Sequence, residues 1–308
     1  HLVNADNYGN GNGGKEVFAF IPRTMLQNQP YALEKDSTKI NSTTSSSIGA
    51  PVAGIDAPWL VTADYKYDFP NKKVNIDNSG SGSTQKGVFA YGGLRLGGTG
   101  LYGLNLTNYS TPSIVFNITP TTAGFADMGQ IWSKPTKAKI KTTTSSTDTG
   151  TDVLIFGGGY DPCYEAQDFQ VGATSPTTAE ATADAALAEG SRKNIKVWSD
   201  SCKTKATTKT AGNAVYMINA KTGALIWSAT KSANSVGANT TNPYLNSSIV
   251  GGITTLDRNN DGFVDHIYFA DLAGQVFRAD FTNAGDSIYE KNSSGNYVGT
   301  KQTGFAGQ

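Results

Sequence analysis

The sequence predicts an all-β chain, folded as a β-propeller, on three observations. Glycine accounts for 35 of the 308 residues, and short runs rich in Val, Ile, Tyr and Phe recur between polar stretches. Long helical patterns are few, so short strands joined by tight turns are the expected structure. The third observation is a loose repeat of strand, turn and strand, which favours a propeller over a two-sheet sandwich.

The predicted strands are apolar or alternating segments bounded by polar turn residues. In the first half of the chain they are 15–22, 58–67, 87–96, 100–107, 112–119 and 130–142. In the second half they are 152–158, 213–220, 224–230, 248–257, 265–271 and 274–281. We expect them to form one domain over residues 1–308.

The repeat is clearest in segment 214–227, where a strand, a turn at 221–223 and a second strand follow one another. Segment 266–281 has the same plan, with its turn at 272–274, and segment 88–106 is a longer relative. Four-stranded sheets arranged radially produce this pattern, because each sheet buries both faces against its neighbours. A sandwich is the structural alternative.

Polar insertions are predicted between the strands, near 36–50, 141–150, 163–202 and 232–242. One of them contains an Ala-rich segment, 175–190, with the signals of a short capped helix. Pro176 suits a first helical turn, Thr177 precedes Glu180 by three residues as in a capping box, and Gly190 is a stop signal. Its apolar residues are nearly all Ala, so we expect a helix on the surface.

The charge balance excludes some classes of partner. The chain has 25 Lys and Arg against 25 Asp and Glu, so no basic field is expected of the kind that holds nucleic acid or an anionic membrane. No run of 18 or more apolar residues is present, so no transmembrane segment is predicted. The opening residues 1–10 lack the pattern of a signal peptide, which is therefore either absent or upstream.

A loop in segment 254–281 has oxygen-bearing residues at alternate positions. They occupy positions 1, 3, 5, 7 and 9 of the loop and are Asp257, Asn259, Asp261, Phe263 and Asp265. Gly262 lies at position 6, so the pattern matches the first part of an EF-hand calcium loop. Position 12 is Tyr268 rather than Glu, and we expect Asp265 to coordinate directly in its place.

Calcium is the ion that this donor set favours. Three carboxylates within nine residues repel one another, and hard oxygen ligands in a flexible loop select calcium over zinc or copper. A metal-free hairpin turn is the alternative, since Asn-Asp-Gly is itself good turn chemistry. It explains 260–262 but not the spacing of Asp257, Asn259 and Asp265. A second Asn-rich and Gly-rich segment, 4–16, is predicted to be an ordinary turn.

Five segments, taken in order, resemble the PilY/PilC family of type IV pilus biogenesis and tip-associated adhesin proteins. They are VFAFIP near the start, GGLRLGGTGLYGLNLTN (92–108), VLIFGGGYD (153–161), GNAVYMINAKTGALIW (212–227) and DRNNDGFVDHIYFADLAGQVFRADF (257–281). The resemblance implies a C-terminal modified β-propeller, of which this chain would hold about four to five blades. Only 43 residues follow Asp265, and further blades are expected outside the chain.

The resemblance also implies function, partners and location. It implies a secreted protein of the cell surface, pilus tip and outer membrane, which supports pilus assembly by opposing retraction. Twitching motility, surface attachment and DNA-uptake-linked transformation are the processes implied. The implied partners are minor pilins and the pilus tip, with host or abiotic receptors for adhesion. Specific nucleic-acid binding is not expected from the charge.

The resemblance assigns roles to individual residues. The implied calcium ligands are the side chains of Asp257, Asn259, Asp261 and Asp265 with the carbonyl of Phe263, and the neutral Asn259 implies moderate affinity. A secreted protein matures in an oxidising compartment. The two cysteines of the chain, Cys163 and Cys202, are therefore expected to form a disulfide around the helical insertion.

Two other readings stay open. Propellers with similar turns occur in quinone-dependent dehydrogenases, but His266, the one histidine besides residue 1, is expected to be a packed or rim residue rather than a base. No G-x-S-x-G, H-E-x-x-H or phosphate-loop motif is present, so no enzymatic activity is predicted. A lectin-like module is the other reading; Tyr109 or Tyr244 would suit sugar binding but equally suit ordinary loops.

Overall fold

The computed structural model describes residues 2–5, 13–26, 54–143, 149–166, 168–281, 283, 290–291, 294 and 297–298. The predicted insertion near 36–50 and part of the insertion near 141–150 lie outside these ranges. In the described residues, strands dominate and helices are short, which confirms the all-β prediction. None of these helices has the length and apolar character that crossing a membrane requires.

The strands are short and follow one another along the chain. They are β1 (Leu2–Val3), β2 (Glu16–Phe18), β3 (Leu60–Ala63), β4 (Tyr65–Asp68), β5 (Lys73–Ile76), β6 (Val88–Gly93), β7 (Leu101–Asn105), β8 (Ser113–Ile118), β9 (Thr136–Ile140), β10 (Thr151–Gly157), β11 (Val215–Asn219), β12 (Leu225–Thr230), β13 (Ala238–Thr241), β14 (Thr254–Leu256), β15 (His266–Ala270), β16 (Val276–Asp280), β17 (Glu290–Lys291) and β18 (Tyr297–Val298). The helices are α1 (Thr178–Ala185) and α2 (Asp200–Thr208), with a single helical turn at 23–26.

Three larger sheets carry most of these strands. The first sheet has the order β3-β6-β7-β8, the middle sheet β13-β12-β11-β10-β9 and the last sheet β14-β15-β16. Neighbouring strands are antiparallel, except that β13 runs parallel to β12. Each sheet is therefore mainly a meander of strands in chain order, although the hairpin β4–β5 and the helical insertion separate some of the neighbours along the chain.

The middle sheet is buried on both faces. Along β10, Leu154 and Phe156 pack against the first sheet, and Val153 and Ile155 pack against the last sheet. A strand buried on both faces needs a continuous apolar run rather than alternation, and the sequence VLIF supplies one. Two apolar cores result, which we name the first core (between the first and middle sheets) and the second core (between the middle and last sheets).

The predicted repeat is present as two tight turns, each begun by an Asn or Asp side chain that binds its own backbone. Between β11 and β12 the Asn219 side-chain oxygen accepts from the NH groups of Lys221 and Thr222 at 2.8 and 3.1 Å. Between β15 and β16 the Asp271 carboxylate accepts from the NH groups of Ala273 and Gln275 at 3.0 and 2.9 Å. An Asn or Asp that binds its own turn in this way closes a tight hairpin.

The segment predicted as one strand, 58–67, forms two. Asp64 interrupts it: the Asp64 NH donates to the Gly87 carbonyl at 2.9 Å, and its carboxylate accepts from the Gly87 NH at 3.0 Å. The chain then leaves the first sheet and forms a separate hairpin, β4–β5, before β6 rejoins it. The strand β5 was not predicted, because Lys73–Ile76 has too few apolar residues to stand out.

The helical insertion departs from prediction at its end and in its content. Thr177 and Glu180 form the predicted capping box, but Pro176 precedes the helix and α1 ends at Ala185 rather than near Gly190. The Asp184 carboxylate accepts from the NH groups of Lys193 and Ile195 at 2.7 and 2.9 Å, which turns the chain back. The second helix, α2, was not predicted. In the insertion predicted near 232–242, β13 adds an edge strand to the middle sheet.

Candidate calcium site

The loop 257–265 joins β14 to β15, so a hairpin holds both of its ends. The Asp265 NH donates to the Leu256 carbonyl at 2.9 Å and closes the loop. Asn260 and Gly262 have φ angles of 60° and 90°, a left-handed conformation that Gly and Asn adopt at low cost. The residues that bend the chain therefore stand where the sequence requires a sharp turn.

The side chains of the loop point inward and accept hydrogen bonds from its own backbone. The two Asp257 carboxylate oxygens accept from the NH groups of Asp261 and Gly262 at 3.2 and 2.7 Å. The Asn259 side-chain oxygen also accepts from the Asp261 NH at 3.2 Å, and the Asp261 carboxylate accepts from the Phe263 NH at 2.9 Å. The first three predicted ligands therefore share one set of backbone donors.

Asp265 approaches from the end of the loop. It is buried, and its carboxylate accepts from the Arg258 NH at 2.7 Å. Asn259 and Asp261 are exposed and Asp257 is half-buried, so the loop has one buried and three accessible oxygen-bearing side chains. The carbonyl of Phe263 accepts no hydrogen bond from the described part of the chain.

The back of the loop is tied to the middle sheet. The Val264 NH donates to the Lys139 carbonyl at 2.9 Å, and the Val264 carbonyl accepts from the Asn283 side chain at 2.9 Å. The ring of Phe263 lies against Gly150, where an added Cβ would stand 2.3 Å from it. The loop therefore contacts the middle sheet and, through β14 and β15, belongs to the last sheet.

The donor chemistry of the loop fits calcium. Each carboxylate oxygen has about two lone pairs, and each of the three carboxylates accepts at least one backbone NH, so acceptor capacity remains for a cation. In the described residues no three His, Cys, Asp or Glu side chains gather closely enough to form a metal cluster by themselves. The loop therefore has oxygen donors of the type that calcium takes, but its carboxylates are not gathered into a cluster and accept backbone NH groups instead.

His266 is packed rather than free. It is buried at the start of β15, and its Nδ1 lies 2.6 Å from the Asp280 carboxylate on β16. Arg278 occupies the other oxygen of Asp280 at 2.8 Å. The contact between His266 and Asp280 links β15 to β16 in the last sheet. It agrees with the expectation that His266 is a packed residue.

The disulfide between Cys163 and Cys202 is confirmed. The bond joins residues 39 apart in sequence and fastens the helical insertion to the end of β10. A small core of Phe169, Trp198 and Ala206 surrounds it. Tyr109 and Tyr244 are exposed, and they lie on different loops.

Sequence reasoning missed two features. Asp161 is fully buried and binds Lys205 at 2.8 Å, but the partners are too far apart in sequence for a local pattern. The hairpin β4–β5 exposes an apolar face, and the alternation of Tyr65, Tyr67 and Phe69 in the sequence was a signal that could have revealed it.

No family model matches the chain, and no curated protein matches it. Among solved structures, the crystal structure of the Pseudomonas aeruginosa PilY1 C-terminal domain is similar, with 18% sequence identity and a TM-score of 0.41. The match covers 87% of this chain but spans only 34% of the length of that one. A likeness of this size assigns neither a function nor a site to the chain.

Proposed function

We propose that this chain is part of the β-propeller of a PilY/PilC-type pilus biogenesis protein and that its loop 257–265 binds calcium. The proposed ligands are the side chains of Asp257, Asn259, Asp261 and Asp265 and the carbonyl of Phe263. The observation that carries the proposal is this alternating set of oxygen donors, held between two paired strands and wrapped by its own NH groups.

The stacking of the sheets supports the propeller. Propeller blades are antiparallel meanders that pack face to face around a centre. The first, middle and last sheets are mainly meanders in chain order, and the middle sheet buries one face against each neighbour. In a two-sheet sandwich each sheet would instead bury a single face and leave the other to solvent.

The order of the five sequence motifs supports the pilus assignment. Four of these motifs contain strands of the structure. Motif 92–108 contains β7, and motif 153–161 contains most of β10. Motif 212–227 contains β11 with its turn, and motif 257–281 contains the loop 257–265, β15 and β16. The proposed role is to support pilus assembly by opposing retraction, at the pilus tip on the cell surface, with minor pilins as partners. Adhesion, twitching motility and DNA-uptake-linked transformation would follow from that role.

Calcium would act on the β14–β15 hairpin. Without the ion, Asp257, Asp261 and Asp265 repel one another, which loosens a hairpin tied to both the middle and the last sheet. Such loosening changes the surface offered to a partner without unfolding the domain. We expect a graded coupling of about 1–3 kcal/mol between calcium and partner binding.

Calorimetry tests the metal site. We expect one calcium ion per chain, with a dissociation constant on the order of 10⁻⁴–10⁻³ M, as in extracellular modules. Asp261→Ala removes a central ligand and should abolish binding while the fold is kept. Asp200→Ala is the matched control, because Asp200 is a fully exposed carboxylate far from the loop in sequence. Unchanged calcium affinity in Asp261→Ala would show that the loop 257–265 is not the calcium site.

The biological role is tested in the native gene. Asp261→Ala should reduce the number of surface pili, and deleting the retraction motor should restore it, because the proposed function opposes retraction. Normal piliation and twitching in the variant would leave calcium a structural role only.

The proposal includes no catalytic activity for the chain. A quinone-dependent dehydrogenase would absorb in the near-ultraviolet and visible when loaded with its cofactor, and the purified protein is expected not to do so. Such absorption would favour the enzyme instead.

A further inference from the structure

The hairpin β4–β5 stands apart from the three sheets and exposes its apolar residues. Among the strands that the structure describes, β4 and β5 pair only with each other, and their register places Tyr65 opposite Ile76 and Tyr67 opposite Val74. Residues opposite each other and two apart along a strand share one face, so these four side chains form a single apolar face.

Phe69 extends this face to the tip of the hairpin. Its ring packs edge-on against Tyr67 with centroids 4.8 Å apart. The exposed fractions of the side chains on the face are large: 65% for Tyr65, 49% for Tyr67, 78% for Phe69, 65% for Val74 and 36% for Ile76. Contiguous exposed apolar patches mark interaction sites rather than ordinary surface.

The opposite face and the tip are cationic. Lys66, Lys72 and Lys73 lie between residues 65 and 74, where Asp68 is the only acidic residue. Among the described residues none of the three lysines forms an ion pair, and Asp68 accepts from the Asn71 side chain at 2.8 Å. The chain-wide balance of charge, which predicted no basic field, does not describe this local excess.

The acidic residues at the base of the hairpin are already neutralised. Asp77 binds Lys86 at 2.9 Å and Asp64 binds Lys221 at 3.2 Å. Hydrogen bonds from Ser79 and from Lys86 lower the pKa of Asp77 to about 2. Burial alone would raise the pKa of Asp64, but hydrogen bonds from Gly87 and Lys221 outweigh it and lower the pKa. Negative charge is therefore paired at the base, and the hairpin itself has a net positive charge, with three lysines against the single carboxylate of Asp68, which lies opposite Lys73.

We infer that the hairpin β4–β5 docks on a lipid surface with anionic headgroups, with Phe69 and Tyr67 entering the interface. Aromatic rings are favoured at the boundary between headgroups and acyl chains, and nearby lysines are attracted to anionic headgroups. A ribbon with one apolar and one cationic face has the character of an interfacial element that lies on a membrane without spanning it.

The size of the face favours a lipid surface over a protein. A stable protein interface needs roughly 800 Å² from each partner. Strands of four residues are roughly 13 Å long, and two of them are about 10 Å across, so the face is several times too small. A membrane does not need a large complementary area.

Cosedimentation of the purified chain with vesicles tests the inference. We expect binding to vesicles that mix phosphatidylcholine with phosphatidylglycerol, weaker binding to phosphatidylcholine alone, and a decrease with salt. Phe69→Ser should lower the partition coefficient roughly tenfold, since burial of an aromatic side chain is strongly favourable. Lys72→Gln should lower it roughly fivefold on anionic vesicles only, the factor that matches about 1 kcal/mol per lysine.

The controls separate docking from other effects. Tyr244→Ser removes a ring of similar exposure, 66%, outside the hairpin and should leave vesicle binding unchanged. Equal binding by Phe69→Ser and the native chain would overturn the inference, as would no binding to anionic vesicles. Self-association that Phe69→Ser abolishes, in the absence of vesicle binding, would show instead that the face is a protein contact.

Discussion

Asp161 is the side chain that fastens the helical insertion to the body of the molecule. It is fully buried just after β10. Its carboxylate accepts from the NH groups of Cys163 at 3.1 Å and Ala211 at 2.7 Å, and it binds the Lys205 ammonium of α2 at 2.8 Å. A buried charge is tolerated only when it is paired and hydrogen-bonded in this way.

We expect Asp161→Ala to lower the free energy of unfolding by about 3–5 kcal/mol, because it leaves two backbone NH groups and an ammonium without their acceptor. Urea denaturation with the disulfide intact measures the change. The control on the same helix is Asp200→Ala: Asp200 binds Lys203 at 3.1 Å but is fully exposed, so its loss should cost less than about 1 kcal/mol. Similar losses of stability in both variants would contradict this role of Asp161.

Single residues were predictable from sequence where their partners are near in the chain or few in number. The loop 257–265 could be identified because its donors alternate over nine residues, and Cys163 had one possible partner, Cys202. The contact of Asp161 with Lys205 spans 44 residues. Many lysines could have filled that place, so no local pattern specified which one did.

The two repeated turns, 219–224 and 271–275, differ in their surroundings. The first lies on the first sheet: the Lys221 ammonium is 3.9 Å from the centre of the Phe89 ring, and a Cβ added to Gly223 would stand 2.6 Å from the Phe116 ring. A Cβ added to Gly274 meets nothing within 4 Å. The turns therefore share an Asn or Asp side chain that binds the turn, but they differ in length and in packing.

We expect Gly223→Ala to destabilise the chain more than Gly274→Ala. The two glycines have similar positive φ angles, 74° and 83°, so the backbone cost of about 1–2 kcal/mol applies to both. The added clash with Phe116 should cost Gly223→Ala about 1–3 kcal/mol more. Urea denaturation of both variants gives the difference, and equal losses would mean that the turn does not pack on the first sheet as described.

Strands and turns could be predicted where apolar runs stand between glycines, as for β10, β11 and β15. The strands that were missed, β5 and β13, are polar. Ala238–Thr241 forms a strand because its backbone pairs with the edge of β12, and such tertiary pairing overrides a weak local preference. The helix α2 was missed for a related reason, since it is held by the disulfide and by Asp161 rather than by an apolar stripe of its own.

The three sheets share two cores through β10, so they should unfold together. Ile155 and Phe156 are adjacent in sequence, yet the first packs in the second core and the second in the first core. A sequence pattern predicts that such a run is buried but not which sheets cover it, since that depends on strands far away in the chain. The sequence of β10 therefore does not specify that the first and last sheets pack on its two faces.

We expect Ile155→Ala and Phe156→Ala each to lower the stability of both outer sheets. The cost of such truncations in a packed core is about 2–5 kcal/mol. Because β10 belongs to both cores, each variant should accelerate amide hydrogen exchange in β7 of the first sheet and in β15 of the last sheet by a similar factor.

Mass spectrometry of peptides that cover β7 and β15 measures this exchange. Val276→Ala is the control, since Val276 lies in the last sheet with 75% of its side chain exposed and should change stability by less than about 0.5 kcal/mol. If Ile155→Ala accelerated exchange in β15 alone and Phe156→Ala in β7 alone, the sheets would be independent units. Acceleration in both is the result expected of sheets that share their cores through β10.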